Sequence, residues 1–587
     1  MIQFLKYVLA TLVGLFLFSV LSIFLLAGIG SAFSSSTEET SVAENSVLKI
    51  DLNQVVTENA AEEDPFSELL SDGPGKVGLI DIKEALANAK LDPNIKGVYL
   101  KIEYPMAGFA TIEEIRNALI DFKKSKKFVY TYGEIMTEQA MYLASVADKS
   151  YINPAGGVEF NGLDAELVFF KKMFDKVGIK PVIFRVGEFK SAVEPFIRTD
   201  MSPENKAQVQ SYLNSIANHM YKGISASRGV EMAELTKLLN TAAIQSPQDA
   251  VKHKLLTHVG YFDEFEQALK IASKTNKKGK VAYVSLDKYR NAKKYIEKGN
   301  REQQIAVIVS EGEITSGEVE SGGIGSDSFI KELIRARNDK KVKAIVLRIN
   351  SPGGSALASD VMWREIELTK KEKPVVASMG DVAASGGYYM AMGCDTIVAQ
   401  PTTITGSIGI FGMLFNVQEL MNDKVGITFD VVKTHTFANS PSLTREMSDA
   451  EKMMIQNSVN QGYETFTSKA AKGRKMPIDK LKAIAGGRVW TGVQAKNNGL
   501  VDVLGGLDDA VAIAAKKAGI KGNDYRVRYM PTPKSDFEQI MSKINGSGEE
   551  AALQNYFGVL APIVKEVRAL GKAEQLQARL PYHVIIR

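Results

Sequence analysis

The sequence predicts an α/β protein that carries one domain twice in tandem, and three observations point there. From residue 47 onward, short apolar strands alternate with amphipathic helices, the pattern of a layered α/β fold. The strand-like run Lys96-Gly97-Val98-Tyr99-Leu100-Lys101-Ile102 ends at Pro105, and Lys343-Ala344-Ile345-Val346-Leu347-Arg348-Ile349 ends at Pro352, 247 residues later (352 − 105). The same shift carries Gly133-Glu134 to Gly380-Asp381, Asp148 to Asp395, Pro154 to Pro401 and Gly162 to Gly409. One constant offset over so long a span marks an internal repeat.

The first element is an uncharged stretch over 7–30, rich in Leu, Val and Phe and long enough to cross a bilayer as a helix. Lys6 precedes it and Glu38-Glu39 follow, so the chain beyond it is expected outside the cytoplasm. A cleaved signal peptide, cut near Ser31-Ala32-Phe33-Ser34, is the alternative. The apolar run exceeds a usual signal core, which favours an uncleaved anchor over 1–30. Residues 31–46 then read as a flexible linker, 47–275 as the first repeat, 276–303 as a Lys- and Tyr-rich connector and 304–520 as the second repeat. The tail, 521–587, carries an amphipathic helix around 549–570, suited to packing on the core or resting on a membrane surface.

Within the first repeat, a strand over 96–102 is followed by a helix over 111–124, with Ile112, Ile115, Leu119 and Phe122 on its apolar face, and by a strand over 127–132. In the second repeat a strand over 343–349 leads to a helix over 356–370, a strand over 374–379 and a helix over 385–394. The apolar content of 45% and charged content of 24% are ordinary globular values. The net charge of +4 is small for 587 residues and forms no basic stripe interleaved with aromatics, which argues against a nucleic-acid partner. The single cysteine, Cys394, excludes an intrachain disulfide and a cysteine-based metal cluster, and its apolar neighbours make it a structural thiol.

The copies differ where chemistry would sit. Gly353-Gly354 faces Met106-Ala107 in the first copy, and Ser385-Gly386 faces Glu138-Gln139. Ser385 falls at a strand-to-helix junction, where its hydroxyl is presented and the Gly386 amide is free, a geometry suited to a nucleophile. An ordinary helix cap is the plain alternative. Asn350-Ser351-Pro352-Gly353-Gly354-Ser355 opens the next helix, so the amides of Gly354 and Gly386 would make a two-donor oxyanion hole. A phosphate cradle is disfavoured because the Lys-Ser/Thr ending of a P-loop is absent. A nucleophilic serine needs a base. The five histidines, His219, His253, His258, His435 and His583, lie in no triad-like segment, and composition singles out no one lysine.

Arg185-Val186-Gly187-Glu188-Phe189-Lys190-Ser191-Ala192-Val193-Glu194-Pro195-Phe196 resembles the lysine segment of the bacterial signal peptide peptidase A family in its long, duplicated form. Ser351-Pro352-Gly353-Gly354, Gly380-Asp381-Val382-Ala383-Ala384-Ser385-Gly386-Gly387-Tyr388-Tyr389 and Thr405-Gly406-Ser407-Ile408-Gly409 resemble its other signature segments, in order and without departure. The resemblance spans both repeats, the connector and the anchor. It implies the fold of the caseinolytic protease and crotonase superfamily, built from repeated ββα units. It implies Ser385 as nucleophile, Lys190 as general base, Gly354 and Gly386 at the oxyanion hole and Ser407 as the group orienting the lysine. No metal or cofactor is implied. The implied substrates are hydrophobic remnant signal peptides. The implied setting is a single-pass protein of the bacterial inner membrane, in contact with its lipid, with periplasmic catalytic domains in a bowl-shaped homotetramer.

Shifted by the repeat length, Lys190 falls on Phe437 (190 + 247), where the motif is lost. Each copy thus holds half of a Ser/Lys pair, and the expectation is that Lys190 reaches Ser385 across the contact between repeats. Two other classes are the alternatives. Crotonase-type acyl-CoA chemistry would use carboxylate catalysts without a serine-lysine pair. A non-enzymatic membrane scaffold would not need the intact serine, lysine and glycine pair.

Overall fold

The computed structural model describes residues 39–60, 75–275, 279–296, 299–319, 322–531, 577–579 and 585–586, with scattered positions between 3 and 21. The anchor expected over 1–30 is otherwise outside the described residues, as is the amphipathic segment around 549–570. Among the described residues, no helix is long and apolar enough to cross a membrane.

Two parallel sheets carry the chain. In the first, the spatial order is Tyr283–Ser285, Ser46–Asp51, Ile95–Lys101, Phe128–Met136, Lys149–Val158 and His258–Val259. In the second it is Val489–Thr491, Ile404–Gly406, Val375–Ala384, Val342–Ser351, Gln304–Glu311 and Arg526–Met530, with Val489–Thr491 the antiparallel edge. The central strands read as continuous apolar runs because both faces are covered: Ala344 to Leu347 and Val375 to Ala377 are fully buried.

The repeat is visible in the elements themselves. The helices Leu79–Leu91 and Ser326–Asn338 begin 247 residues apart (326 − 79), as do the strands Ile95–Lys101 and Val342–Ser351 (342 − 95). The same holds for the helices Phe109–Lys123 and Ala356–Thr369 and for the strands Phe128–Met136 and Val375–Ala384. Asp148 and Asp395 owe their equivalent positions to one shared task. Each carboxylate accepts the amide near the start of the preceding strand, from Val129 at 2.8 Å and Val375 at 2.9 Å.

Three segments differ from the sequence expectation. The strand expected over 374–379 runs on to Ala384 and delivers the chain directly into Ser385. The end of the expected linker is docked: the Thr40 amide donates to the Asn291 carbonyl at 2.9 Å, and Asn94 Nδ2 donates to the Val42 carbonyl at 3.2 Å. The expected connector supplies Tyr283–Ser285, which covers the open edge of Ser46–Asp51, and the buried Tyr289, whose hydroxyl donates to Asp92 at 3.0 Å. An exposed sheet edge needs its backbone groups paired, and polar, Lys-rich composition hides such a strand.

A third, mixed sheet interlocks the halves. Its order is Gly323–Gly325, Glu313–Thr315, Gly353–Ser355, Gln577–Arg579, Phe411–Asn416 and Lys180–Arg185. Lys180–Arg185 belongs to the first half, yet it pairs antiparallel along its whole length with Phe411–Asn416 of the second.

Candidate active site

Ser385 sits between the strand Val375–Ala384 and the helix Gly386–Ala391, as that helix's N-cap. Its backbone has φ 54° and ψ −111°, a conformation that costs a non-glycine residue roughly 1–3 kcal/mol. Strand pairing holds it there: Ala384 lies in register with Gly406, and the Ser385 amide donates to the Gly406 carbonyl at 2.9 Å. Ser407, the residue just past the end of that neighbouring strand, also has positive φ, at 48°. The two strained serines therefore sit side by side, each turned out of its strand.

Lys190 arrives from the other half. The chain leaves the shared strand Lys180–Arg185 and turns at Gly187, so that Lys190 caps the short turn Ser191–Val193. The Phe189 amide donates to the Gly486 carbonyl at 3.2 Å, and Gly487 packs on Lys190 so closely that a methyl group there would lie 2.6 Å from the Lys190 Cβ. Gln208 closes the clamp. Its Nε2 donates to the Phe189 carbonyl at 3.2 Å and to Ser191 Oγ at 2.9 Å, while its Oε1 accepts the Val489 amide at 3.2 Å.

The amine of Lys190 lies 2.9 Å from Ser385 Oγ, 3.1 Å from Ser407 Oγ and 3.3 Å from the Ser407 carbonyl. All three residues are fully buried. Burial pushes the Lys190 amine down from its ordinary value to about 7, because nothing replaces the water that would solvate an ammonium ion. A neutral amine has two N–H groups and one lone pair. With its N–H groups on the carbonyl and hydroxyl of Ser407, its lone pair faces the Ser385 hydroxyl, which then donates to it.

Gly353 and Gly386 are in contact: a methyl group on Gly353 would lie 2.7 Å from the Gly386 amide nitrogen. The Gly353 amide is already engaged, donating to Ser351 Oγ at 3.1 Å. The structure therefore gathers Lys190, Ser385 and Ser407 into one hydrogen-bonded cluster and puts the Gly353-Gly354 turn against Gly386. Phe437 and His435 lie far from such an environment, in an exposed stretch. Sequence reasoning missed Gln208, whose residue type is too common to draw notice, and gave Ser351 no role of its own within its motif. It also missed Gly486-Gly487, a glycine pair that could have flagged a close backbone approach.

An α/β scaffold that presents a strained serine hydroxyl at a helix N-terminus, beside a buried amine, is that of a serine-type peptidase. The chain matches Peptidase family S49 over 121–276 and 367–521, two segments that begin 246 residues apart (367 − 121), and it belongs to that family. "Protease 4" of Haemophilus influenzae is 33% identical over 566 residues, 92% of this chain and 91% of its own. "Serine protease SPPA, chloroplastic" of Arabidopsis thaliana is 36% identical over 479 residues, 80% of this chain and 70% of its own. A relative named as a signal peptide peptidase, from Enterococcus faecium, is 37% identical over 185 residues, 31% of this chain and 54% of its own.

Proposed function

We propose that this chain is a membrane-anchored serine endopeptidase that degrades remnant signal peptides with a Ser/Lys dyad. The observation that carries this reading is the 2.9 Å contact between the Lys190 amine and the Ser385 hydroxyl in a fully buried setting. Neutral Lys190 takes the proton as Ser385 Oγ attacks a peptide carbonyl carbon. The amides of Gly354 and Gly386 stabilise the oxyanion. The protonated lysine gives its proton to the departing amine, and water then releases the acyl group from Ser385. Ser407 holds the amine in line throughout.

The substrate class rests on the resemblance of four motif segments to signal peptide peptidases and on the relative so named. The uncharged stretch over 7–30 supports an anchor in the bacterial inner membrane, in contact with its lipid and with the catalytic halves on the periplasmic side. A caseinolytic-protease-like fold and a homotetramer complete the proposal. The test is digestion of a synthetic signal peptide by the purified full chain, followed by mass spectrometry. Ser385→Ala and Lys190→Ala are each expected to lower the rate by at least about a hundredfold. Either variant cleaving at the wild-type rate would rule the dyad out.

A further inference from the structure

The strand that delivers Ser385 breaks its pairing just before the nucleophile. Ile349 lies opposite Met379 and Ser351 opposite Ala383, so two steps on one strand face four on the other (351 − 349, 383 − 379). Gly380, Asp381 and Val382 take up the excess as a bulge. Such a bulge needs other acceptors for its amides, and it sets where the following residues point. Asn350 supplies one, its Oδ1 accepting the Val382 amide at 3.1 Å. The strand's other edge pairs from Val382 with Ile404 to Ala384 with Gly406, and Ser385 follows.

Asn350 is itself held. Its Nδ2 donates to Glu311 Oε1 at 3.2 Å, and Glu311 Oε2 accepts the Glu58 amide at 3.1 Å. A carboxylate accepts at both oxygens, so ionised Glu311 leaves the Asn350 amide one orientation, with its oxygen toward Val382. The next residue, Ser351, holds the Gly353 amide. Two adjacent side chains thus hold the strand of the nucleophile and the glycine turn.

The first half carries the same pair with its chemistry exchanged. Glu103 stands 247 residues before Asn350 (350 − 103). Asn53 stands 258 before Glu311 (311 − 53), the spacing at which the strands Ser46–Asp51 and Gln304–Glu311 begin (304 − 46). There Asn53 Nδ2 donates to Glu103 Oε2 at 3.4 Å, and Glu103 Oε1 accepts the Glu134 amide at 3.1 Å. In the half with the nucleophile, the amide side chain touches the strand and the carboxylate stands behind it.

We propose that Asn350 and Glu311 are positioning residues for Ser385: Glu311 orients the Asn350 amide, and Asn350 holds the bulge from which the strand delivers the nucleophile. The proposal rests on the dyad reading. Glu311 acts in this way only when ionised, because a proton would set an O–H against one of the two N–H groups aimed at it. Burial, and then the charge of Glu58, push its carboxyl up to about 7. The charged groups that face it are Glu58 and Asp381; Glu58 pairs in turn with Arg348, and Arg348 with Glu114.

The test is signal-peptide digestion by the full chain as wild type, Glu311→Gln, Asn350→Ala, Ser385→Ala and the exchange Glu311→Asn with Asn350→Glu, with kcat and KM measured from pH 6 to 9. At pH 9 Glu311→Gln and Asn350→Ala are each expected to lose about tenfold in kcat, the weight of one hydrogen bond, with KM within about twofold of wild type. Lys190 titrates in wild type and Glu311→Gln alike, so the ratio of their kcat values isolates Glu311. That ratio is expected to fall from about ten at pH 9 to about two at pH 6. The exchange, which copies the pair of the first half, is expected to regain most of the lost kcat. A ratio constant across pH marks a structural role and overturns the proposal. So do wild-type kcat values in both single variants, or an exchange no more active than they are. In each of those cases an inert Ser385→Ala leaves the dyad reading standing. Ser385→Ala active at the wild-type rate overturns the dyad, and this proposal with it.

Discussion

The carboxylate of Asp381 accepts the backbone amide of Thr111 at 2.8 Å and its hydroxyl at 2.6 Å, joining residues 270 positions apart in the chain. Thr111 lies in the first turn of the helix Phe109–Lys123, whose own N-cap, Gly108, has no side chain to offer. Asp381 stands four residues before Ser385. The second half thus caps a helix of the first, beside the site that both halves build.

Asp381→Ala is therefore expected to cost about 1–2 kcal/mol of stability, the upper range for losing a cap, because the freed amide stays buried. Asp381→Asn, which keeps an acceptor, should recover part of it. Urea unfolding of the three proteins measures this, and equal midpoints for Ala and wild type would contradict the capping role.

Arg348 is fully buried on a second-half strand and pairs at 2.8 Å with both Glu58 and Glu114 of the first half. Lys83 sits 2.5 Å from Glu114 on the other side. Arg348→Ala strands two buried carboxylates and is expected to destabilise the chain by roughly 3–5 kcal/mol, whereas replacing all three groups by apolar residues of similar volume should cost far less. Burial raises the Glu114 pKa, but the charges of Arg348 and Lys83 outweigh it and hold the carboxyl at about 2. Its folded value being depressed, Glu114 contributes stability above its ordinary value of 4.5 that is lost as pH falls toward 2. Thermal melts across that window should show wild type losing this contribution and Glu114→Gln lacking it.

With Lys190 held near 7 by burial, the neutral amine that can accept a proton grows in population as pH rises through 7. The kcat/KM for a signal peptide is expected to climb about tenfold per pH unit below that value and to level off above it. A profile flat from pH 5 to 9 would count against Lys190 as the base. The stability effect has its own sign. The unfolded chain binds the lysine proton more readily between about 7 and its ordinary 10.5, so wild type gains stability with pH across that window. Lys190→Met removes that slope.

Ser407→Ala deletes one of the two acceptors that hold the lysine amine and leaves the Ser407 carbonyl in place. One hydrogen bond is worth about 1.4 kcal/mol, so kcat should fall about tenfold, with KM expected to stay unchanged if Ser407 acts through the lysine alone. The pH midpoint should move with it, a readout that loss of packing alone would leave fixed.

How much of this could be read from the chain alone follows from what is local. The repeat was legible because capping aspartates, turn glycines and apolar strand runs recur at one spacing, and the matched elements start at that spacing. The contact between Lys190 and Ser385 was expected from motif resemblance, since the repeat arithmetic showed only that neither copy held both. Asp381 with Thr111, Arg348 with its two glutamates, and Gln208 were illegible. Each is an ordinary residue whose partner is supplied by folding over a separation of hundreds of positions or by a neighbouring loop. The tail strand was hidden for the same reason. Three residues, Gln577, Ala578 and Arg579, carry no periodicity, and only the slot between Gly353–Ser355 and Phe411–Asn416 makes them a strand.

Among the described residues, the strand Lys180–Arg185 has its full pairing only with Phe411–Asn416. During synthesis the lysine emerges from the ribosome 195 residues ahead of the serine, and its supporting strand waits longer still for a neighbour. A growing polypeptide shorter than 416 residues holds every part of the first half but lacks the complete frame that brings amine and hydroxyl together. A truncated translation product that ends before that point therefore lacks the strand that frames the approach of Lys190 to Ser385.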